Sequence, residues 1–186
     1  MPRAARLDVP GALQHVMVRG IEKRDIFRGD RDREDLISRL ADLLPESGTI
    51  CLAWAFLPNH VHFLFRSGPK GIAYVMRKLL TGYAVSFNLR HQRTGHLFQN
   101  RYKSILCEEE PYLMELVRYI HLNPLRAGVV SGIGGLNRYP YCGQSALMGN
   151  ADRPWQETDG VLRIFASKLH EARRRYLSFV AKGVAL

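Results

Sequence analysis

The spacing of apolar positions changes several times along the chain, and each change marks an element. Gln14 to Arg19 alternates and ends at Arg19-Gly20, which predicts a first strand running into a basic loop with Lys23 and Arg24. Asp30 or Asp32 can cap a helix whose apolar positions Leu36, Ile37, Leu40, Leu43 and Leu44 keep helical spacing until Pro45. From Thr49 the pattern becomes that of a strand, with Ile50, Leu52, Trp54 and Phe56 on one face and Cys51, Ala53 and Ala55 on the other. After Leu57-Pro58-Asn59, His60 to Phe65 alternates again, so the two runs read as an antiparallel hairpin closed by Ser67-Gly68-Pro69. Ile72, Val75, Met76, Leu79, Leu80, Tyr83 and Phe87 then form one stripe of a long helix.

The second half is less regular. Asn88 to Ser104 is rich in Arg and His and includes part of a strand expected within Leu97 to Leu106. Glu109-Glu110-Pro111 is a helix start, with acids at the positive end of the dipole, and that helix carries Leu113, Leu116, Val117 and Ile120 before Asn123-Pro124. Gly128 to Gly149 reads as irregular with one short strand, and a last helix is expected over Asp159 to Val180. The order of elements predicts an α+β fold: a ferredoxin-like antiparallel sheet with helices packed mainly on one face, plus a C-terminal helical extension.

Charge narrows the partners. The chain of 186 residues carries 27 Lys and Arg against 17 Asp and Glu, a net charge of +10, so polyanions are natural ligands, although charge alone does not select nucleic acid. Cys51, Cys107 and Cys142 are far apart and lack C-x-x-C spacing, which argues against a disulfide framework or a structural zinc site and for reduced thiols in or near the core. No signal-peptide pattern and no membrane-length apolar run are seen, so a cytoplasmic, nucleoid-associated protein is expected.

Two groups of residues can do chemistry. His60 and His62, two apart on a strand, send both imidazoles to the same face, where they can share one divalent metal. A pair of hydrogen-bonded sheet histidines is the plainer account, weakened by their place in an apolar strand. In Arg118-Tyr119-Ile120-His121-Leu122-Asn123-Pro124, the buried stripe puts Tyr119 and Asn123 one above the other on its flank and His121 on the opposite flank. Tyr119 can supply a phenol and Asn123 an amide oxygen to a metal at the histidine pair; the plainer account is a border tyrosine and a helix-ending asparagine. Tyr83 lies within its helix's apolar stripe and reads as core, and His15, His91, His96 and His170 show no ligand-like spacing.

With these residues in view, the sequence resembles the single-tyrosine transposases of the HUH (His-hydrophobic-His) endonuclease superfamily, in particular the REP-associated tyrosine transposases. The resemblance runs over roughly Arg3 to Val130 and rests on Pro10-Gly11, His15-Val16, Arg19-Gly20, Ile26-Phe27, Asn59-His60-Val61-His62, Thr94 to Tyr102 and Arg118 to Pro124. It implies a catalytic domain over residues 1–130, followed by a C-terminal irregular segment and basic helix, 131–186, packed on or extending it. It also implies His60 and His62 as metal ligands, Tyr119 as nucleophile, Asn123 as polar ligand where several relatives carry Gln, magnesium or manganese as the metal, and hairpin-containing single-stranded DNA with REP-like repeats as substrate. Dimers occur among the relatives, so the resemblance admits a homodimer.

The expected reaction is attack by Tyr119 on a phosphodiester, giving a 5′-phosphotyrosyl intermediate that permits rejoining, hence transposition or recombination. Arg19, Lys23, Arg24, Arg90, Arg93, Arg101 and Lys103 are candidates for phosphate contacts, with Tyr102 as a stacking platform. Two other classes compete: a non-catalytic single-stranded DNA- or RNA-binding module, and a metallohydrolase that uses an activated water and forms no covalent adduct.

Overall fold

In the computed structural model, which describes residues 8–108 and 112–185, a four-stranded antiparallel sheet is formed by β1 (Leu13–Arg19), β2 (Ile50–Leu57), β3 (His60–Arg66) and β4 (Lys103–Cys107) in the order β2-β3-β1-β4. Helices α1 (Asp30–Ser47) and α2 (Ile72–Arg90) connect the strands as a ferredoxin-like chain requires. The fold is the expected α+β one. Pro45 does not end α1: it sits in the last turn, and the helix stops at Gly48 in the left-handed region. The expected helix start at Glu109-Glu110-Pro111 lies outside the described residues.

Side chains alternate across the sheet and build a core on each face. On one, Val16, Trp54, Phe56, Val61, Phe63 and Phe65 pack under Leu36, Leu40 and Leu44 of α1 and Val75, Met76, Leu79, Tyr83 and Phe87 of α2. On the other, Leu13, Ala53, Ala55, Leu57 and Leu64 meet Val117, Ile120 and Leu122 of α3 (Leu113–Arg126) together with residues of the C-terminal helices. The helices are therefore shared between the two faces rather than gathered mainly on one, because the chain after β4 returns across the sheet instead of stopping at its edge. A bulge between Cys51 and Ala53 also shifts the alternation in β2: Cys51 joins Trp54 and Phe56, and Leu52 joins Ala53.

Several boundaries differ from those expected. The segment after α2 bridges Gly20, just past β1, at Phe98, breaks at Asn100 in the left-handed region, and pairs with β1 from Lys103, so the strand is shorter than Leu97 to Leu106. Pro124 lies inside α3 rather than ending it. The Gly-rich stretch holds two short helices, α4 (Gly132–Arg138) and α5 (Gly143–Leu147); a Cβ on Gly143 would come 2.4 Å from His121 Nε2, so this glycine serves close packing. The expected last helix is divided into α6 (Asp159–Leu162) and α7 (Leu169–Gly183), and the turn between them folds Phe165 against Tyr176 and Phe179. The Phe165 position keeps helical spacing across the break, which hid it in the sequence.

Asp32 ties α1 to α2. It is 1% exposed and accepts hydrogen bonds from the Arg28 backbone N–H at 2.7 Å and Arg90 Nε at 2.7 Å, with His91 Nε2 at 2.8 Å. Burial pushes its carboxyl up, but the Arg28 N–H, the Arg90 guanidinium and His91 outweigh this and hold it below its ordinary 3.8. Cys51 and Cys142 are buried free thiols and Cys107 is half-buried. Among the described residues no helix is long and apolar enough to cross a membrane.

Asp32→Asn is expected to destabilise the protein by about 3 kcal/mol in urea unfolding, because Arg90 is left half-paired in a buried setting. As the folded carboxyl is the stronger acid, this stabilisation is complete above pH 3.8 and is lost as pH falls below it, so the gap between wild type and variant closes in acid.

Candidate active site

The register of β1 against β3 builds one end of the sheet. Met17 lies opposite His62, Arg19 opposite His60, and His15 opposite Leu64, so His15, Arg19, His60 and His62 share the face covered by α3. The rings of His60 and His62 are 5.1 Å apart between centroids and nearly perpendicular. His62 also meets His15 edge to edge, with ring planes 26° apart, centroids 5.2 Å apart and His15 Nε2 3.0 Å from His62 Nδ1. His60 Nδ1 lies 2.7 Å from Asn59 Oδ1, and Asn59 Nδ2 donates to the Lys23 carbonyl at 3.2 Å. His15 and Asn59 were not singled out by spacing; the alternation that puts His15 and Arg19 on one face was the available signal.

These imidazoles are held neutral. Burial, then the charges of His15, His60 and Arg19, push His62 down to about 3; burial and Arg19 lower His60, and burial lowers His15. Neutral imidazole is the form that a divalent cation requires.

Helix α3 brings the phenol. Tyr119 is 45% exposed, and its ring meets His15 and His62 edge-on at centroid distances of 6.1 and 6.3 Å, with the Arg126 guanidinium 5.7 Å from its centroid. Asn123, one turn on, donates from Nδ2 to the Tyr119 carbonyl at 3.0 Å, which leaves its Oδ1 as the atom available to a ligand. It makes no hydrogen bond to either histidine among the described residues. His121 instead enters the core. The Trp54 N–H donates to its Nε2 at 3.4 Å, so its Nδ1–H donates to Tyr176 Oη at 2.9 Å, and Tyr176 donates in turn to Gln144 Oε1 at 2.7 Å. Burial pushes His121 down to about 3. This chain of bonds fixes α3 between the sheet and α7.

The donor set suits a hard or borderline cation. Among the described residues no three His, Cys, Asp or Glu side chains are arranged to hold a metal. A cation here would take His60, His62 and an oxygen of another kind, which the Asn123 amide can supply.

The candidate phosphate contacts divide. Arg19, Lys23, Arg101 and Lys103 line one cavity of about 260 Å³ with Met17, Gln99 and Asn100. Arg19 Nε is buried there without a hydrogen-bond partner among the described residues. A Cβ on Gly20 would lie 2.0 Å from the Arg24 carbonyl, so only glycine lets the basic loop fold back on this cavity. Arg24 pairs with Glu22 at 3.3 Å on the surface. Arg90 is committed to Asp32 and Asp35, and Arg93 donates to Asn88 and to the carbonyls of Gly95 and His96, so both guanidinium groups organise the chain. Tyr102 packs against the core under α1 and α2, and Tyr83 is fully buried with its hydroxyl on the Ile26 carbonyl.

The family model described as "Transposase IS200 like" matches residues 9–123, well over half of the chain, and the chain belongs to that family of transposases. No curated protein sequence matches significantly. Among solved structures, the fold is similar to that of a REP-associated tyrosine transposase bound to a REP hairpin, with a TM-score of 0.65, 16% identity, and coverage of 86% of this chain and 90% of that one. A transposase of Deinococcus radiodurans R1, described as putative, aligns with a TM-score of 0.43 and 18% identity over 63% of this chain and 95% of that one.

Unfolded histidines take up protons near 6.5, whereas His62 and His121 in the folded chain refuse them until about 3, so stability falls as pH drops below 6.5. Between pH 6 and pH 5 the expected loss approaches about 1.4 kcal/mol per pH unit for each histidine, read by urea unfolding. The ring signals of both residues should not titrate in that range by NMR.

Proposed function

We propose that the protein nicks and rejoins hairpin-containing single-stranded DNA, with Tyr119 as the nucleophile, in DNA transposition or recombination. The observation that carries this reading is the half-exposed Tyr119 ring standing over His15 and His62, at the end of the sheet where His60 also lies. A similar fold has been solved on a REP hairpin, which supports the substrate class.

Tyr119 gives up its phenolic proton to solvent as Oη attacks the scissile phosphorus, the new O–P bond forms as the bond to the 3′-oxygen breaks, and the departing 3′-oxygen takes up a proton from solvent. The products are a 5′-phosphotyrosine and a free 3′-hydroxyl, and reversal with another 3′-hydroxyl rejoins the strands. His60, His62 and Asn123 would hold magnesium or manganese, which supplies charge neutralisation at a non-bridging phosphate oxygen. Arg19, with Lys23, Arg101 and Lys103, holds the backbone phosphates beside the scissile one. Arg126, its guanidinium 5.7 Å from the centroid of the Tyr119 ring, flanks the attacking side chain.

Incubating the protein and manganese with end-labelled hairpin oligonucleotides from its genomic flanks is expected to give a covalent protein–DNA band that is absent in Tyr119→Phe. DNA binding without an adduct or cleavage, for wild type across metals, would favour the binding-module reading. Cleavage that survives Tyr119→Phe without an adduct would favour a water-using hydrolase.

Affinity for the same oligonucleotides should fall steeply with salt. Arg19→Ala and Lys103→Ala should each weaken binding and lower the slope of log K against log salt by about one.

A further inference from the structure

We infer that His15 is a positioning residue of this site: its Nε2 accepts a hydrogen bond from His62 Nδ1–H and so holds His62 in the tautomer whose Nε2 is open to a divalent cation. The inference rests on the metal reading above and adds how the two histidines are made ready for it.

At His60 the proton's place follows from connectivity. Asn59 spends its Nδ2 on the Lys23 carbonyl, so its Oδ1 faces His60 Nδ1 as a pure acceptor. His60 therefore carries its proton on Nδ1, and its Nε2 presents a lone pair. At His62 the same ring atom, Nδ1, is engaged at 3.0 Å, this time by a histidine from the neighbouring strand. An imidazole pair admits either direction of donation. With His62 donating, the two histidines of β3 are alike: Nδ1–H satisfied within the protein and Nε2 free.

The strand register makes this arrangement possible. His15 lies opposite Leu64 and is thus the diagonal neighbour of His62 across β1 and β3, near enough for the two rings to meet edge to edge with their planes 26° apart. The near-coplanar hydrogen bond restrains the rotation of the His62 ring. His15 has no free Nε2 left to offer a cation, which accords with the lack of a three-histidine metal cluster among the described residues. Its role is to orient a ligand.

The test uses the full chain and manganese alone. Heteronuclear NMR of the metal-free wild type should show His62 protonated at Nδ1; protonation at Nε2 would overturn the inference without reference to metal or activity. In manganese titrations followed by electron paramagnetic resonance, His15→Phe should bind about 10- to 100-fold more weakly than wild type. His15→Gln, whose amide oxygen can take the place of Nε2, should come back to within a few-fold. Manganese affinity unchanged in His15→Phe would overturn the positioning role, and thermal unfolding of both variants verifies that they are folded. If wild type and His60→Ala bind manganese equally poorly, the metal reading fails, and the His62 tautomer in wild type still decides whether His15 sets it.

Discussion

The antiparallel pairing of β1 with β3 at the centre of the sheet determines which side chains can meet at the site. With Met17 opposite His62 and Arg19 opposite His60, the three histidines and the half-buried Arg19 fall on one face and the large aromatic side chains on the other. A slip of one residue would exchange the faces, bringing Val16 and Val18 beneath α3 and driving His15 and Arg19 into the apolar layer under α1 and α2. The register is secured from both sides, because each face has its own core.

That two-sided burial also explains why the polar cluster lies at the end of the sheet. Small residues of β2, Ala53 and Ala55, allow α3 to approach closely, and Val117 and Ile120 fill the space between. Tyr119 then emerges at the border, where the helix leaves the sheet partly uncovered. The helix has little freedom to roll, since His121 is bonded to the Trp54 backbone and to Tyr176, and Arg118 and Arg126 donate to carbonyls near the end of α7. Residues beyond the stretch matched by the family thus support the helix that carries the phenol.

Strands and long helices were legible because each is governed by one periodicity, and the facing of His60 and His62 followed from strand alternation alone. The clustering of the histidines with Tyr119 depends on packing between distant elements, and their spacing within each motif suggested but could not measure it. His15 shows no ligand-like spacing because a single histidine in an alternating strand has no local signature; its partner is 47 residues away and is met only through strand pairing. Arg90 and Arg93 were indistinguishable in sequence from Arg19 and Arg101, since only tertiary structure shows which cations are already neutralised or bonded. The bulge in β2 and the turn before α7 were hidden for a related reason: apolar spacing continues through both while the backbone changes course.

Lys23 and Asn100, which both line the basic cavity, have left-handed backbone conformations, with φ of 60° and 55°. Asparagine tolerates this conformation well; lysine does so at some cost, and its carbonyl is held by Asn59. The two turns give the cavity its shape before any anion arrives. Much of the entropy loss of ordering this rim therefore falls within folding and would not be charged again on the phosphate association proposed above, which would leave more of the electrostatic attraction to appear as affinity.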